Sequence, residues 1–228
     1  MTEEHSEEMF NDLAYIRPHV ALKREHYRQV PKGLRDRIAK ILTHTIAVVA
    51  DFFFQERYGH RAVVLETVAS IPGMIGGLFQ HLKSLRFIRD DHGWIKTLLD
   101  EAENERVHLI VYSEIAKPIL IERILIIVVQ FFFSIIYFVL YLLSPKTAHR
   151  VVGYLEEEAI HSYEHYLRLV QEGKHENTPA TKLAISYWKL APDARLSDMI
   201  EATIVDEMAH RDVNHTFSND ILGTRMWH

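Results

Sequence analysis

The segment Ile124–Leu143 constrains this chain more than any other stretch. Its twenty residues include only Gln130 and Ser134 as clearly polar members, and basic residues flank it at Arg123 and Lys146. Twenty helical residues extend about 30 Å, the thickness of a bilayer's hydrocarbon core. Because the segment is apolar all round, contact with lipid is a better reading than burial in a soluble core. A simple crossing, however, would place everything before it on one side of the membrane and everything after it on the other. The remaining sequence argues against that division.

Apolar periodicity predicts six helices. The first covers about Leu34–Phe54, with Ile38, Ile41, Leu42, Ile46, Val49 and Phe53 at helical spacing. The second runs from about Gly59 to Phe87 and contains Pro72-Gly73 and Gly76-Gly77, which weaken a helix unless a kink or a close helix contact compensates. The others span about His92–Ala116, Pro118–Leu143, Ser144–Gly173 and, after a polar connector, Ser197–Phe217. No strand-like alternation persists, so the fold class is all-α. Residues 1–33 read as a mobile polar arm ending at Pro31-Lys32-Gly33, and 34–228 as one helical domain. The acidic start, MTEEHSEEMFNDL, resembles neither a signal sequence nor an Arg-rich transit peptide, which favours a bacterial cytoplasm or its membrane.

Composition narrows the chemistry. A net charge of −5 gives no electrostatic case for nucleic acid. The absence of cysteine excludes disulfides, iron–sulfur clusters and thiolate zinc sites. Any metal must be held by Asp, Glu and His, and the chain has 15 His.

The four Glu-x-x-His pairs are Glu105/His108, Glu158/His161, Glu172/His175 and Glu207/His210. At that spacing both side chains leave one helix face. A two-metal site in a four-helix bundle needs two such pairs and one further Glu from each of two other helices. Glu172/His175 sits at a polar helix end beside Gly173 and reads as surface. The third and sixth helices supply Glu105/His108 and Glu207/His210, leaving the fifth to offer Glu156, Glu157 or Glu158. The second offers Glu66, the only charge in VVLETVA, although a plain ion pair with Arg61 would also explain it.

The resulting order along four bundle helices is Glu, Glu-x-x-His, Glu, Glu-x-x-His. Four carboxylates balance two ferrous ions, and oxygen donors with only two imidazoles suit iron or manganese. A metal-bound histidine needs an acceptor for its other ring nitrogen, and Asp206, next to Glu207, and Asn104, next to Glu105, could serve that outer shell. If these residues share metals, Ile124–Leu143 cannot cross the membrane. It must lie in the interface, together with the first helix.

LETVASIPGMIGG, NERVHL, LEEEAIHSY and VDEMAHRDVNH together resemble the signature blocks of the alternative oxidase family, and the likeness covers about Asp51–His215. The chain departs at Val107 (usually Met), Ser162 (commonly Thr) and Met208 (usually Ala), none of them a proposed ligand. The resemblance implies a ferritin-like bundle carrying two iron ions, held by Glu66, Glu105, His108, Glu156, Glu207 and His210. It implies oxidation of ubiquinol by dioxygen, resistant to cyanide and without proton pumping. A quinone pocket would comprise Arg61, Leu65, Leu155, Glu158, Ala159 and Ser162, and Ser162 would lose a methyl against that pocket. Tyr163 would be the redox-relevant tyrosine, while Asn104, Asp206, Tyr187 and Trp188 would surround the metals. His81 would lie at a homodimer interface. The expected location is monotopic, on the cytoplasmic face of a bacterial inner membrane, or the matrix side in a mitochondrion. The rivals are a ferroxidase, a lipid hydroxylase or desaturase with the same ligands, and a metal-free helical scaffold.

Overall fold

A computed structural model describes residues 27–54 and 57–220. Seven helices appear among them: α1 (Leu34–Phe54), α2 (Tyr58–Phe87), α3 (Trp94–Ala116), α4 (Leu120–Leu143), α5 (Pro145–Gln171), α6 (Lys182–Tyr187) and α7 (Leu196–Asp220). The six expected helices are present within a few residues. The short α6 was not anticipated; it lies in the polar connector, where Thr181 caps it by accepting from the Ala184 amide. Most of the expected mobile arm lies outside the described residues. Its last part is bound to the body: the Tyr27 hydroxyl donates to Asp212 at 2.9 Å and the Gln29 amide to Glu157.

The bundle is two antiparallel hairpins face to face, α2 with α3 and α5 with α7. Small residues explain how closely each hairpin closes. A Cβ on Gly73 would stand 2.3 Å from the Leu98 carbonyl oxygen, and one on Gly153 would stand 2.5 Å from the His215 ring. Close approach is therefore what compensates the glycines of α2. Hydrophobic residues from both hairpins, among them Val63, Val111, Ile160, Met199 and Met208, fill one core between them.

The helix α4 is the long crossover that carries the chain from the first hairpin to the second. Its 24 residues give it about 36 Å of length, enough to return along the bundle. It does so against α2 and α5: Gln130 donates to the Thr67 carbonyl oxygen at 3.4 Å, and Tyr137 and Tyr141 pack on Ala148 and Val152. The rest of α4 is uncovered, with Ile127, Phe131, Phe132, Ile136 and Leu143 all exposed. By length and composition α2 and α4 could each cross a membrane, but more than half of α2's apolar stretch is buried, against 11% for α4. Leu34, Ile38, Ile41 and Phe52 extend the apolar surface onto α1. Patches of this size mark association with another apolar phase, and these helices fit membrane association.

Candidate metal centre

Four helices each bring carboxylate to one buried point. Glu66 comes from α2, Glu105 and His108 from α3, Glu156 from α5, and Glu207 and His210 from α7. All six are at most 4% exposed. Their potential ligand atoms form two sets, each with every atom within 4.8 Å of the others: Glu66, Glu105, His108 and Glu207, then Glu105, Glu156, Glu207 and His210. Each set holds three carboxylates and one imidazole. Glu105 and Glu207 belong to both, so two cations held here could share those two carboxylates.

Both imidazoles present Nδ1 to this interior. His108 Nδ1 stands 3.4 Å from Glu66, 3.5 Å from Glu105 and 3.3 Å from Glu207, while His210 Nδ1 stands 2.6 Å from Glu105 and 3.5 Å from Glu207. Yet Nδ1 of both rings, both oxygens of Glu105 and one oxygen each of Glu66 and Glu207 have no hydrogen-bond partner. Buried polar atoms rarely stay unsatisfied, and six such atoms converging on one point fit a site built for cations.

Proton affinities point the same way. Burial, together with the charges of Glu105 and Glu207, raises the Glu66 carboxyl well above its usual range; burial with Glu207 and Glu105 does the same to Glu156. Burial opposes charging of His108, but Asp206, Glu105, Glu207 and Glu66 outweigh it and raise its pKa. His210, likewise opposed by burial, is raised to about 10 by Glu105 and Glu207. Without metal, the cluster offsets its negative charge by holding protons. Divalent ions would displace them.

A shell of hydrogen bonds supports these six residues. His108 Nε2 meets Asp206 Oδ2 at 3.1 Å, and that same oxygen accepts from Asn104 at 2.7 Å and from Trp188 Nε1 at 2.8 Å. Asn104 Nδ2 also donates to the Tyr187 hydroxyl at 2.8 Å. The Tyr163 hydroxyl donates to Glu66. Burial, then the charge of Glu66, pushes the Tyr163 pKa up, so the phenol keeps its proton.

A further buried chain was not expected from the sequence. Asn214 donates to Glu101 at 2.8 Å; its carbonyl oxygen meets His149 Nδ1 at 2.9 Å, and His149 Nε2 meets the Tyr141 hydroxyl at 3.1 Å. Helical spacing did hold a signal. Glu101 precedes Glu105 by four residues and Asn214 follows His210 by four, so each shares its helix face with a ligand.

An apolar cavity runs into the cluster. It is lined by Arg61, Leu65, Leu155, Glu158 and Ala159, with Glu66, Glu156 and Glu207 also on its wall and Ile46 of α1 and Phe133 of α4 contributing from the apolar helices. Ser162 lines a smaller neighbouring space with Tyr163, and the two share Leu65, Glu66 and Ala159. Five of the six expected quinone-pocket residues thus line one cavity and the sixth its neighbour. Glu158 is partly buried and pairs with Arg28 at 3.8 Å. His161 and Glu172 are exposed and His175, beyond the end of α5, is half-buried against Tyr58 and Tyr166, so among the described residues those Glu-x-x-His pairs form no metal-type cluster. His81 is exposed on α2, far from any of these ligands in sequence and near Leu78, Leu82 and Leu85, which are exposed as well.

An all-helical bundle that buries two overlapping Glu3His sets has the make-up of a carboxylate-bridged two-metal protein. The alternative oxidase family profile matches residues 19–219, and the chain belongs to that family. Its relatives include the Glycine max protein named ubiquinol oxidase 2, mitochondrial, 54% identical over 84% of this chain and 57% of that protein. The Arabidopsis thaliana protein of the same name is 50% identical over 89% of this chain and 56% of its own length. A ubiquinol oxidase from Batrachochytrium dendrobatidis is 50% identical over 85% and 61%. The chain spans a little over half the length of these relatives.

Proposed function

We propose that the chain oxidises a quinol, ubiquinol by the names of its relatives, and passes the electrons to dioxygen at a two-iron centre. The ligands in this reading are Glu66, Glu105, His108, Glu156, Glu207 and His210, with Glu105 and Glu207 shared. The observation that carries it is the cavity, which leads from the apolar helices α1 and α4 to three of those carboxylates. A soluble substrate would have no use for such an entrance, whereas a lipid-dissolved quinol would reach the centre without entering water.

Bound iron would supply the redox chemistry and the affinity for oxygen that no side chain here offers. The residues do the rest. Leu65, Leu155 and Ala159 exclude water from the quinol ring, and Arg61 and Glu158 meet its oxygens. Glu158 is placed to receive a hydroxyl proton. Asp206 fixes the His108 ring so that Nδ1 faces inward. Tyr163 holds a proton on the oxygen nearest Glu66 and can release it together with an electron when an oxidising equivalent must be stored. Two quinols give up four electrons and four protons, and one dioxygen takes all of them to form two waters.

In this reading α1 and α4 lie in one leaflet, on the cytoplasmic face of a bacterial membrane or the matrix face of a mitochondrial one. With no helix crossing, no charge is moved and the energy is released as heat. The face of α2 around His81 pairs two copies. The test is oxygen uptake by membranes carrying the full chain, driven by a short-chain quinol in the presence of cyanide. Sustained uptake that depends on iron supports the proposal. No uptake from iron-loaded protein ends it, and hydroxylated lipid or iron oxidation without quinol turnover would favour the hydroxylase or ferroxidase instead.

A further inference from the structure

Three further buried tyrosines stand near Tyr163. Tyr166 follows it on α5, Tyr58 opens α2, and Tyr112 lies on α3. Tyr58, Tyr163 and Tyr166 line one space of about 20 Å³, with Glu66 on its wall. Tyr58 and Tyr166 stack with ring centroids 5.5 Å apart and planes 18° from parallel, and the Tyr112 ring is 5.3 Å from that of Tyr163. Rings packed this closely let an oxidising equivalent held on one pass to another.

The fate of each hydroxyl proton separates them. A phenol gives up an electron near neutral pH only if its proton leaves as well, because the charged radical is a very strong acid. Tyr112 meets Thr203 Oγ1 at 3.0 Å, and that hydroxyl donates to the Met199 carbonyl oxygen, so an alcohol is all that faces this phenol. Burial raises the pKa of Tyr112 and of Tyr166, and both keep their protons. Among the described residues, Tyr58 is the one of these phenols whose hydroxyl meets an imidazole, His165 Nδ1 at 2.7 Å. That is the distance at which a positioned base takes a proton. Tyr58 is 8% exposed, whereas His165 is exposed, as are Arg168 and Glu172 further along the chain. The pair therefore joins the core around Tyr163 to water.

We propose that Tyr58 and His165 form an exit for oxidising equivalents, through which a water-soluble enediol such as ascorbate reduces Tyr163 when quinol is short. The proposal rests on the reading of Tyr163 as a store. Dioxygen takes four electrons and one quinol gives two, so a chain waiting for its second quinol keeps an oxidising equivalent on Tyr163. An electron passes from Tyr58 to the Tyr163 phenoxyl, which takes back the proton it had released. The Tyr58 hydroxyl proton crosses to His165 Nδ1, the ring's hydrogen being on Nε2 beforehand. At the surface the enediol gives one electron to the Tyr58 phenoxyl, His165 returns the proton, and the enediol's own proton goes to water. Tyr58 and His165 end as they began.

The test mixes the reduced, iron-loaded full chain with oxygenated buffer lacking quinol, with and without ascorbate. Samples are freeze-quenched and the radical is read by electron paramagnetic resonance, ring-deuterated tyrosine assigning the signal. Ascorbate is expected to remove the wild-type tyrosyl radical quickly. Y58F and H165Q should each slow that loss about tenfold or more, with quinol-driven oxygen uptake unchanged in both, and Y112F should leave the loss fast. His165 is exposed, so H165Q keeps the test open if Y58F fails to fold. Loss as fast in H165Q as in the wild type would overturn the exit, as would loss slowed in Y112F alone. A wild-type chain that takes up oxygen with quinol yet forms no tyrosyl radical would also overturn it, while leaving the quinol reading in place. No uptake from iron-loaded wild type would end the quinol reading and the exit with it.

Discussion

The two hairpins carry the same ligand pattern and support it differently. In the first, His108 is backed by Asp206, an acceptor that also takes hydrogen bonds from Asn104 and Trp188. In the second, His210 has no hydrogen-bond partner on Nε2, and the nearby acid Glu101 is instead tied to Asn214, His149 and Tyr141. The terminal carboxylates differ too, because Glu66 receives the Tyr163 hydroxyl and, among the described residues, no hydroxyl bonds to Glu156. A near-symmetric ligand set thus sits in an asymmetric field. In the first half a carboxylate meets the imidazole directly, in the second the nearby carboxylate is turned to an amide instead, and two chemically unlike positions result.

Substitutions can break this contrast. The largest effect should come from the shared ligands: E207A removes a donor from both sets and should abolish iron binding and oxygen uptake, whereas E156A should spare the set containing His108. Metal analysis per chain reads the difference directly, and equal losses in the two variants would contradict the bridging assignment. Next in size is D206N. Because it removes a charged partner of a ligand histidine, iron affinity should fall about 10- to 100-fold, and N214A on the other side should cost less. Chelator competition ranks them.

Y163F should lower quinol turnover about tenfold, roughly the worth of a charge-assisted buried hydrogen bond, while iron content stays at the wild-type level. Wild-type turnover in that variant would remove the tyrosine from the mechanism. The smallest effect concerns stability. Burial depresses His149 to about 4 from 6.5, against the opposing hydrogen bond that Asn214 Oδ1 accepts. The unfolded chain therefore takes up the proton first as pH falls. This contribution is fully present above pH 6.5 and is lost toward pH 4, at about 1.4 kcal/mol per pH unit. Urea melts should show a shallower acid slope for H149Q, even though that variant starts out less stable.

Much of the first hairpin's chemistry was legible in the sequence because it is local. Glu105 and His108 are three apart, Glu66 is the only charge in an apolar run, and repeated spacing over four helices set the pattern. The second hairpin hid more. His149, Asn214 and Tyr141 join across 65 and 8 residues, and nothing in one segment announces its partner in another. The choice among Glu156, Glu157 and Glu158 could not be made from periodicity, since adjacent residues on a helix differ by only about 100°. In the structure Glu157 turns to His215 and Gln29, and Glu158 to the cavity and Arg28. The seating of Tyr27 on Asp212 spans 185 residues and had no sequence signal at all.

Neither cation set can be assembled from one hairpin. Each takes its donors from both, so every bound ion would stitch α3 to α7, one of them taking in α2 and the other α5, and its binding energy would count toward holding the chain folded. The metal-free chain must instead bring four acids together on protons alone. A cell short of iron would on this account contain less of the protein, because the empty form opens more often and is cleared by proteolysis. Iron supply would set the abundance of the chain as well as its activity.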